Sequence, residues 1–423
     1  MAKLREYAGI VGAQTIEEIE TLATRLAGKT VLNVNSTAVG GGVAEILNRM
    51  VPLLQELGID ASWEVIKGGE AFYAVTKKFH NALHGAKQDI APKDYHVYEE
   101  TNDSNLEKLA LDADIVFIHD PQPAALVKKR QAQRNRWLWR CHIDISRPQA
   151  EAWEFLKPYV EKYDAAVVSS PAFAQKLTIP QVVIAPSIDP LSDKNRELDP
   201  ALARGIVEKL GIPLDKPLVT QVSRFDRLKD PLGVIEAFTQ ARRATNARLL
   251  LIGGSADDDP EGAQVYQEVL DRARNNPDIV IRSLPPTSHI EINAIQRVST
   301  IILQKSLREG FGLIVAEALW KGKPVIAGAV GGIPQQVIHQ NSGILVHSVE
   351  GAAYWIKQLL NNPEYARKLG RTAVSGCGRT FSSPGISRNT SLPSFSACEA
   401  PGRSSSGCSP FKAGARWWAI NVP

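Results

Sequence analysis

The stretch TVLNVNSTAVGGGVAEILNRMVPLLQELG spans Thr30–Gly58. Thr30–Asn35 reads as a buried strand. From Val43 the apolar residues Val43, Ile46, Leu47, Met50, Leu54 and Leu57 recur at helical spacing, and Gly58 is placed to cap that helix at its C-terminus. A strand, a glycine-rich turn and a helix in that order open a parallel α/β sheet. In the turn, Ser36–Gly42, three consecutive glycines (Gly40, Gly41 and Gly42) let the backbone approach a ligand closely, and the helix that follows offers N–H groups to an anion. A plain strand-to-helix connection has the same composition. The spacing is not GxGxxG, which argues against a nicotinamide or flavin site.

Working outward, further strands are expected at Ala61–Ile66, Ile115–His119, Leu138–His142, Ala165–Ser169 and Val182–Ala185, which makes one Rossmann-like unit. A second series reads as Leu218–Val222, Arg248–Ile252, Ile279–Arg282, Ile301–Gln304, Pro324–Ala327 and Gly343–Val346. Helices fit between these at Pro231–Arg243, Tyr266–Asn275, Ile290–Val298 and Leu313–Lys321. The proline-bearing stretch around Pro186–Asp193 is the boundary between them. The expected organisation is a first domain over 1–186, a second over 187–371 and a tail over 372–423.

The chain of 423 residues has an ordinary soluble composition, 44% hydrophobic and 22% charged. No apolar run approaches the ~18 residues of a membrane span, and the N-terminus lacks the apolar core of a secretory signal. Four cysteines make no disulfide framework, and no HxxxH or CxxC spacing suggests a metal. A cytoplasmic location is expected. The formal net charge of +4 lies wholly in residues 372–423, which hold five Lys or Arg and one acid, so the body is neutral and shows no bias toward nucleic acid. That tail is rich in Ser, Gly and Pro, carries Cys377, Cys398 and Cys408, and shows no apolar periodicity. Such a segment buries too little surface to offset its ordering entropy, and disorder is expected there.

Three groups of residues stand where chemistry is expected. Arg224 and Lys229, in VSRFDRLK, follow the first strand of the second series, at the strand end where open α/β sheets place ligands. Two cations there suit a diphosphate, although a solvated basic loop looks the same. In SLREGFGLIVAE (Ser306–Glu317), Glu309 precedes a Gly310-Phe311-Gly312 turn that ends at Leu313, and Glu317 sits about one turn into the next helix. The turn offers N–H groups to a phosphate, Glu309 can reach sugar hydroxyls and Glu317 a ribose. A capping acid and a surface residue are the plainer readings of the two. In the first domain, His119–Asp120 and the Arg140–Asp144 segment with His142 and Asp144 close two strands, as sugar-binding candidates or as buried structural histidines.

Taken together these residues resemble the retaining glycosyltransferases built from two Rossmann-like domains facing each other across a cleft, the GT-B class. The likeness lies in the paired Glu309 and Glu317, in Arg224 with Lys229, and in Val330–Pro334 (VGGIP) followed by Gly343–Val346 (GILV). VTKKFHNALHG (Val75–Gly85), IHDPQPAAL (Ile118–Leu126), WLWRCHID (Trp137–Asp144) and LLIGGSADDDPEG (Leu250–Gly262) narrow it to trehalose synthases of the glycosyltransferring kind. The resemblance covers roughly residues 30–371. It implies glucose transfer from a nucleoside-diphosphate glucose, such as UDP- or ADP-glucose, to free glucose, giving trehalose in a reversible reaction with no obligate metal or other cofactor. It also implies small-molecule substrates, no nucleic-acid or membrane partner, and room for a homodimer.

By the same resemblance Arg224 and Lys229 hold the diphosphate. Glu309 with Gly310–Leu313 holds the donor glucose and phosphate, and Glu317 holds the ribose. Gly40–Gly42 close over the diphosphate, while His142 and Asp120 position sugars.

The chain departs from the family pattern at three places. Asp230 stands after the phosphate lysine where many relatives have Gly, Gln335–Gln336 stand where many have an acid, and the tail lacks the usual closing helices. A shifted reading frame is one explanation of that tail. The alternatives in function are a retaining trehalose phosphorylase, a transferase with another acceptor (a sucrose- or glycolipid-type enzyme), and an inactive sugar-nucleotide binding relative.

Overall fold

Parallel strands need crossovers, and helices crossing on both faces of a sheet bury it completely. Its strands therefore read as unbroken apolar runs, and the computed structural model has this arrangement twice. It describes residues 2–39, 41–132, 135–254 and 261–380. Gly40, the 255–260 part of the LLIGGSADDDPEG segment, and the tail from 381 onward with its Cys398 and Cys408 lie outside the described residues, as does the side chain of Cys377.

The first sheet holds β1 (Thr30–Asn35), β2 (Asp60–Val65), β3 (Ile115–His119), β4 (Arg136–Cys141), β5 (Ala165–Val168) and β6 (Gln181–Val183), in the order β2-β1-β3-β4-β5-β6. The second holds β7 (Leu218–Val222), β8 (Arg248–Gly253), β9 (Ile279–Ser283), β10 (Ile301–Gln304), β11 (Val325–Gly328) and β12 (Ile344–Val346), in the order β12-β11-β10-β7-β8-β9. All their pairings are parallel. Both sheets are doubly wound: the chain builds outward from its first strand, then returns to that strand's other side. The switch points fall between β1 and β3 and between β7 and β10, where doubly wound sheets open a ligand crevice at the strands' carboxyl ends.

An aromatic core fills the first domain, with Phe72, Tyr98, Trp137, Trp139 and Tyr163 almost wholly buried. Buried polar ends need partners; Trp137 Nε1 donates to Asn135 Oδ1 at 2.8 Å, and the segment after β3 serves the other three. Trp139 Nε1 donates to the Asp120 carbonyl at 3.0 Å, Tyr98 Oη to that of Pro121 at 2.7 Å and Tyr163 Oη to that of Ala124 at 2.8 Å. The core thereby fixes Asp120 in the left-handed region, at φ 67°. The second core is mostly aliphatic, with Val219, Leu249, Leu251, Ile301 and Leu303 at its centre. Residues 184–199 join the two domains without strand or helix.

One expectation is corrected. Helical patterning was expected to stop near Arg371, whereas the last described helix spans Pro363–Thr380. Its buried face is Ala366, Leu369 and Ala373, and Gly370 lies so close to the Gly322 carbonyl that a Cβ would overlap it. Small residues carry this face, so no periodicity of large side chains betrays it. Ala373→Asp is expected to cost more than about 2 kcal/mol in a denaturant titration. Val374→Asp, on the exposed side, should stay within about 0.5 kcal/mol of the parent.

Candidate active site between the two sheets

The loop after β7 and the loop after β10 leave adjacent strands at the second switch point and are stitched together by Leu307 N–H donating to the Leu228 carbonyl at 2.8 Å. The first loop is shaped by Asp226, which accepts from Leu228 N–H at 2.7 Å, and by Gln221 Nε2, which holds the Lys229 carbonyl at 2.8 Å. Lys229 Nζ then reaches both oxygens of Glu309 at 2.7 Å. Ser306 Oγ donates to Glu309 Oε2 at 3.0 Å. Arg224 lies 3.8 Å from Asp226. Burial raises the Asp226 carboxyl, but Lys77, Arg224 and Lys229 outweigh it and hold the group well below the usual carboxylate range.

Glu309 is gripped from behind by the VGGIP segment. Gly331 has φ 57°, and any Cβ there would collide with the Glu309 carbonyl; Gly332 N–H donates to the Gly310 carbonyl at 3.0 Å. The helix Leu313–Trp320 starts directly after this turn, with Gly312 in the left-handed region at φ 84°.

Across the cleft, His119 Nε2 meets Asn33 Oδ1 at 3.1 Å and His119 Nδ1 meets His142 Nε2 at 3.0 Å. Asn33 spends its amide N–H on the Ser62 carbonyl at 3.3 Å, so its oxygen faces His119. The proton order follows: His119 donates from Nε2 and accepts at Nδ1, and His142 donates from Nε2, leaving His142 Nδ1 as an acceptor. Both rings are neutral at pH 7. Burial pushes His119 down to about 3, and burial with Arg140 and His119 pushes His142 well below its ordinary value. Asp120 Oδ1 accepts from His142 N–H at 2.6 Å, which locks the end of β4 to the end of β3.

Residues of both domains line one cleft of about 1810 Å³. They include Gly41, Gly42, His119, Asp120, His142, Arg224, Lys229, Glu309, Gly310–Leu313 and Glu317. Asp144 is not among them. It is buried behind the cleft, accepting from Ser146 N–H at 2.9 Å and lying 4.0 Å from Arg308 of the second domain. The domains touch where Gly310 meets the His142 carbonyl, so closely that a Cβ would overlap it, and where Gly42 faces Leu313.

The cleft residues that sequence reasoning left without a role include Lys77, His80, His84 and Lys194. Lys77, His80 and His84 share one face of the helix Glu70–Leu83 and its cap, and Lys77 Nζ crosses to Asp226 at 2.8 Å. Their i, i+3, i+7 spacing is the signal that was there to be found. Lys194 lies on the inter-domain stretch. Among the described residues no three His, Cys, Asp or Glu side chains gather as a metal site.

Residues 33–175 match the family described as "Trehalose synthase, N-terminal domain", and residues 204–375 match "Glycosyl transferases group 1". A trehalose synthase from Rubrobacter xylanophilus is 41% identical over 396 residues, covering 91% of this chain and 95% of the relative. The chain belongs to the trehalose synthase family. A trehalose phosphorylase from Pleurotus pulmonarius is 30% identical over 411 residues, 81% of this chain and 54% of that one. The solved sucrose-phosphate synthase from Thermosynechococcus elongatus shares the fold at 19% identity with a TM-score of 0.65, covering 84% of this chain and 95% of that one. The protein is accordingly a glycosyltransferase of GT-B architecture.

Asp230 and Gln336, both unexpected at their positions in the sequence, now have physical explanations. The Asp230 carboxylate does not face the crevice alone: it caps the helix Pro231–Arg242 through Gly233 N–H at 3.1 Å and pairs with Lys305. Gln336 donates from its amide to the Phe311 carbonyl, holding the turn that follows Glu309. An ionised acid has no proton to donate there.

The neutral histidines set a pH dependence. The unfolded chain takes up a proton near pH 6.5 that native His119 refuses until about 3, so the unfolded state binds more protons and stability falls as pH drops through that window. The slope is about 1.4 kcal/mol per pH unit for each such histidine. Denaturation between pH 7 and 4 should show this decline, with a shallower slope for His119→Gln. An equal slope in the variant contradicts the assignment.

Proposed function

We propose that the protein transfers glucose, with retention, from a nucleoside-diphosphate glucose to the anomeric hydroxyl of free glucose, making α,α-1,1-linked trehalose reversibly. The observation that carries this reading is the convergence of Arg224, Lys229, Glu309 and the N-terminus of the Leu313–Trp320 helix at the β7–β10 switch point, opposite the neutral His142. The Rubrobacter relative's name, and identity over nearly its whole length, support the trehalose product over the phosphorylase alternative.

In this reading residues 187–371 are the donor domain and 1–186 the acceptor-side domain. Arg224 and Lys229 take the diphosphate, with Gly310–Leu313 N–H groups on the phosphate and Gly41–Gly42 covering it from the first domain. Glu309 binds the donor glucose and Glu317 the ribose. His142, whose Nδ1 accepts a hydrogen bond from a sugar hydroxyl, positions a sugar together with His119 and Asp120, and Asp144 braces that wall. The C1–O bond to phosphate breaks and the bond from C1 to the acceptor oxygen forms on the same face. The acceptor hydroxyl proton passes to the leaving phosphate oxygen. The protein's contribution is orientation and stabilisation of charge on the diphosphate. No divalent metal is required in this scheme, because Arg224 and Lys229 supply the positive charge.

The test is incubation with UDP-, ADP- or GDP-glucose plus glucose, read out as trehalose by chromatography. Trehalose formed from a nucleotide sugar is expected. Glucose 1-phosphate formed from trehalose and phosphate, with no nucleotide sugar reacting, favours the phosphorylase, and binding without turnover favours an inactive relative. Arg224→Ala and Lys229→Ala should each raise the barrier by about 2–4 kcal/mol. Glu309→Ala should abolish most turnover with the fold intact, and near-normal activity in that variant removes the assignment.

A further inference from the structure

Glu317 is one of the most deeply buried acids in the described protein, with 1% of its side chain exposed. A buried carboxylate stays ionised only if a partner compensates its lost hydration. Two residues provide that here. Gln296 Nε2 donates to Glu317 Oε2 at 2.9 Å, and Lys194 Nζ sits 2.9 Å from Oε1. The same ammonium lies 2.9 Å from Glu45, near the start of the Gly42–Glu56 helix in the first domain. One lysine on the inter-domain stretch therefore joins an acid of each domain inside the cleft, and all three residues line it.

A second lysine, Lys321, is close but does not replace it. Its ammonium turns to Asn195 Oδ1 at 2.7 Å, and burial, opposed by Glu317 and reinforced by Lys194, lowers it to about 7. Burial works against the charge of Lys194 as well, but Glu317 and Glu45 outweigh it and hold Lys194 above the ordinary lysine range. Lys194 is thus the fixed counter-ion of Glu317. Gln296 and Lys194 occupy one direction on each carboxylate oxygen, and an ionised carboxylate accepts about four hydrogen bonds. Two acceptor directions remain for a vicinal diol.

We infer that Lys194 is a positioning residue for the ribose of the nucleotide: through its contacts with Glu317 and Glu45 it holds the Glu317 carboxylate oriented toward the cleft, so that the ribose subsite is complete only when both domains supply their acid. This rests on the proposed binding of a nucleotide donor with Glu317 on its ribose.

Calorimetric binding of UDP and ADP, each beside its 2′,3′-dideoxy counterpart, tests it on the full-length protein. Lys194→Met should weaken the ribonucleotides on the order of tenfold, the worth of one charged hydrogen bond, and leave the dideoxy nucleotides within about twofold. Lys194→Arg should recover most of the loss. Because Lys194→Met leaves a buried carboxylate without its cation, Glu317→Gln is compared with Glu317→Gln/Lys194→Met; no further loss is expected in the double variant. Equal weakening of ribo- and dideoxynucleotides by Lys194→Met, wild-type protein that does not distinguish the two, or further loss in the double variant overturns the inference. Wild-type protein that makes trehalose from a nucleotide sugar while any of these results holds leaves the proposed function standing. Wild-type protein that binds no nucleotide removes both.

Discussion

Everything in the cleft depends on how closely Gly310 approaches the carbonyl of His142. That contact joins the carboxyl end of β4 in the first sheet to the loop after β10 at the second sheet's switch point, and it exists only because Gly310 projects no side chain there. The second domain prepares Gly310 from below. Gly331 packs under the Glu309 carbonyl, Gly332 holds the Gly310 carbonyl, and Gln336 holds that of Phe311. The first domain prepares His142 through Asp120, itself set by the indole of Trp139. Each core thus reaches the site through its own hydrogen bonds, and Gly310 and Asp120 are held by groups outside the cleft. Such support from behind is what precise placement of reacting groups requires.

The charges in the cleft are paired. Lys229 lies on Glu309, Arg224 and Lys77 on Asp226, and Lys194 on Glu45 and Glu317. Paired in this way, the cations satisfy buried carboxylates. In the proposed function a diphosphate arriving at Arg224 and Lys229 frees Glu309 to take sugar hydroxyls. The histidine wall behaves differently, being neutral, hydrogen-bonded in series and suited to hydroxyls rather than phosphates.

Much of this was legible in the sequence because parallel strands buried on both faces are nearly unbroken apolar runs. The strands predicted at Ile115–His119, Leu218–Val222 and Ile301–Gln304 coincide with β3, β7 and β10, the ones that carry His119, Arg224 and Glu309. Two kinds of feature escaped. Close approaches through small residues, such as Gly370 and Ala373 in the last described helix, leave no periodic trace. Ionic partners from distant segments are invisible to spacing. The residues that meet Asp226 and Glu317 are Lys77 and Lys194, 149 and 123 positions away, and only the folded chain brings them together. Asp230 escaped for a local reason: its carboxylate serves the helix it caps, which a bare comparison of residue types does not reveal.

In the proposed function the cleft between the two sheets is one transfer site with Arg224, Lys229 and Glu309 at its donor end. A crystal structure with a nucleoside-diphosphate glucose bound tests it most directly. Diphosphate oxygens are expected within hydrogen-bond distance of Arg224 and Lys229, with the glucose on Glu309 and beside His142. A diphosphate bound elsewhere, with the Lys229–Glu309 pair still closed, contradicts it.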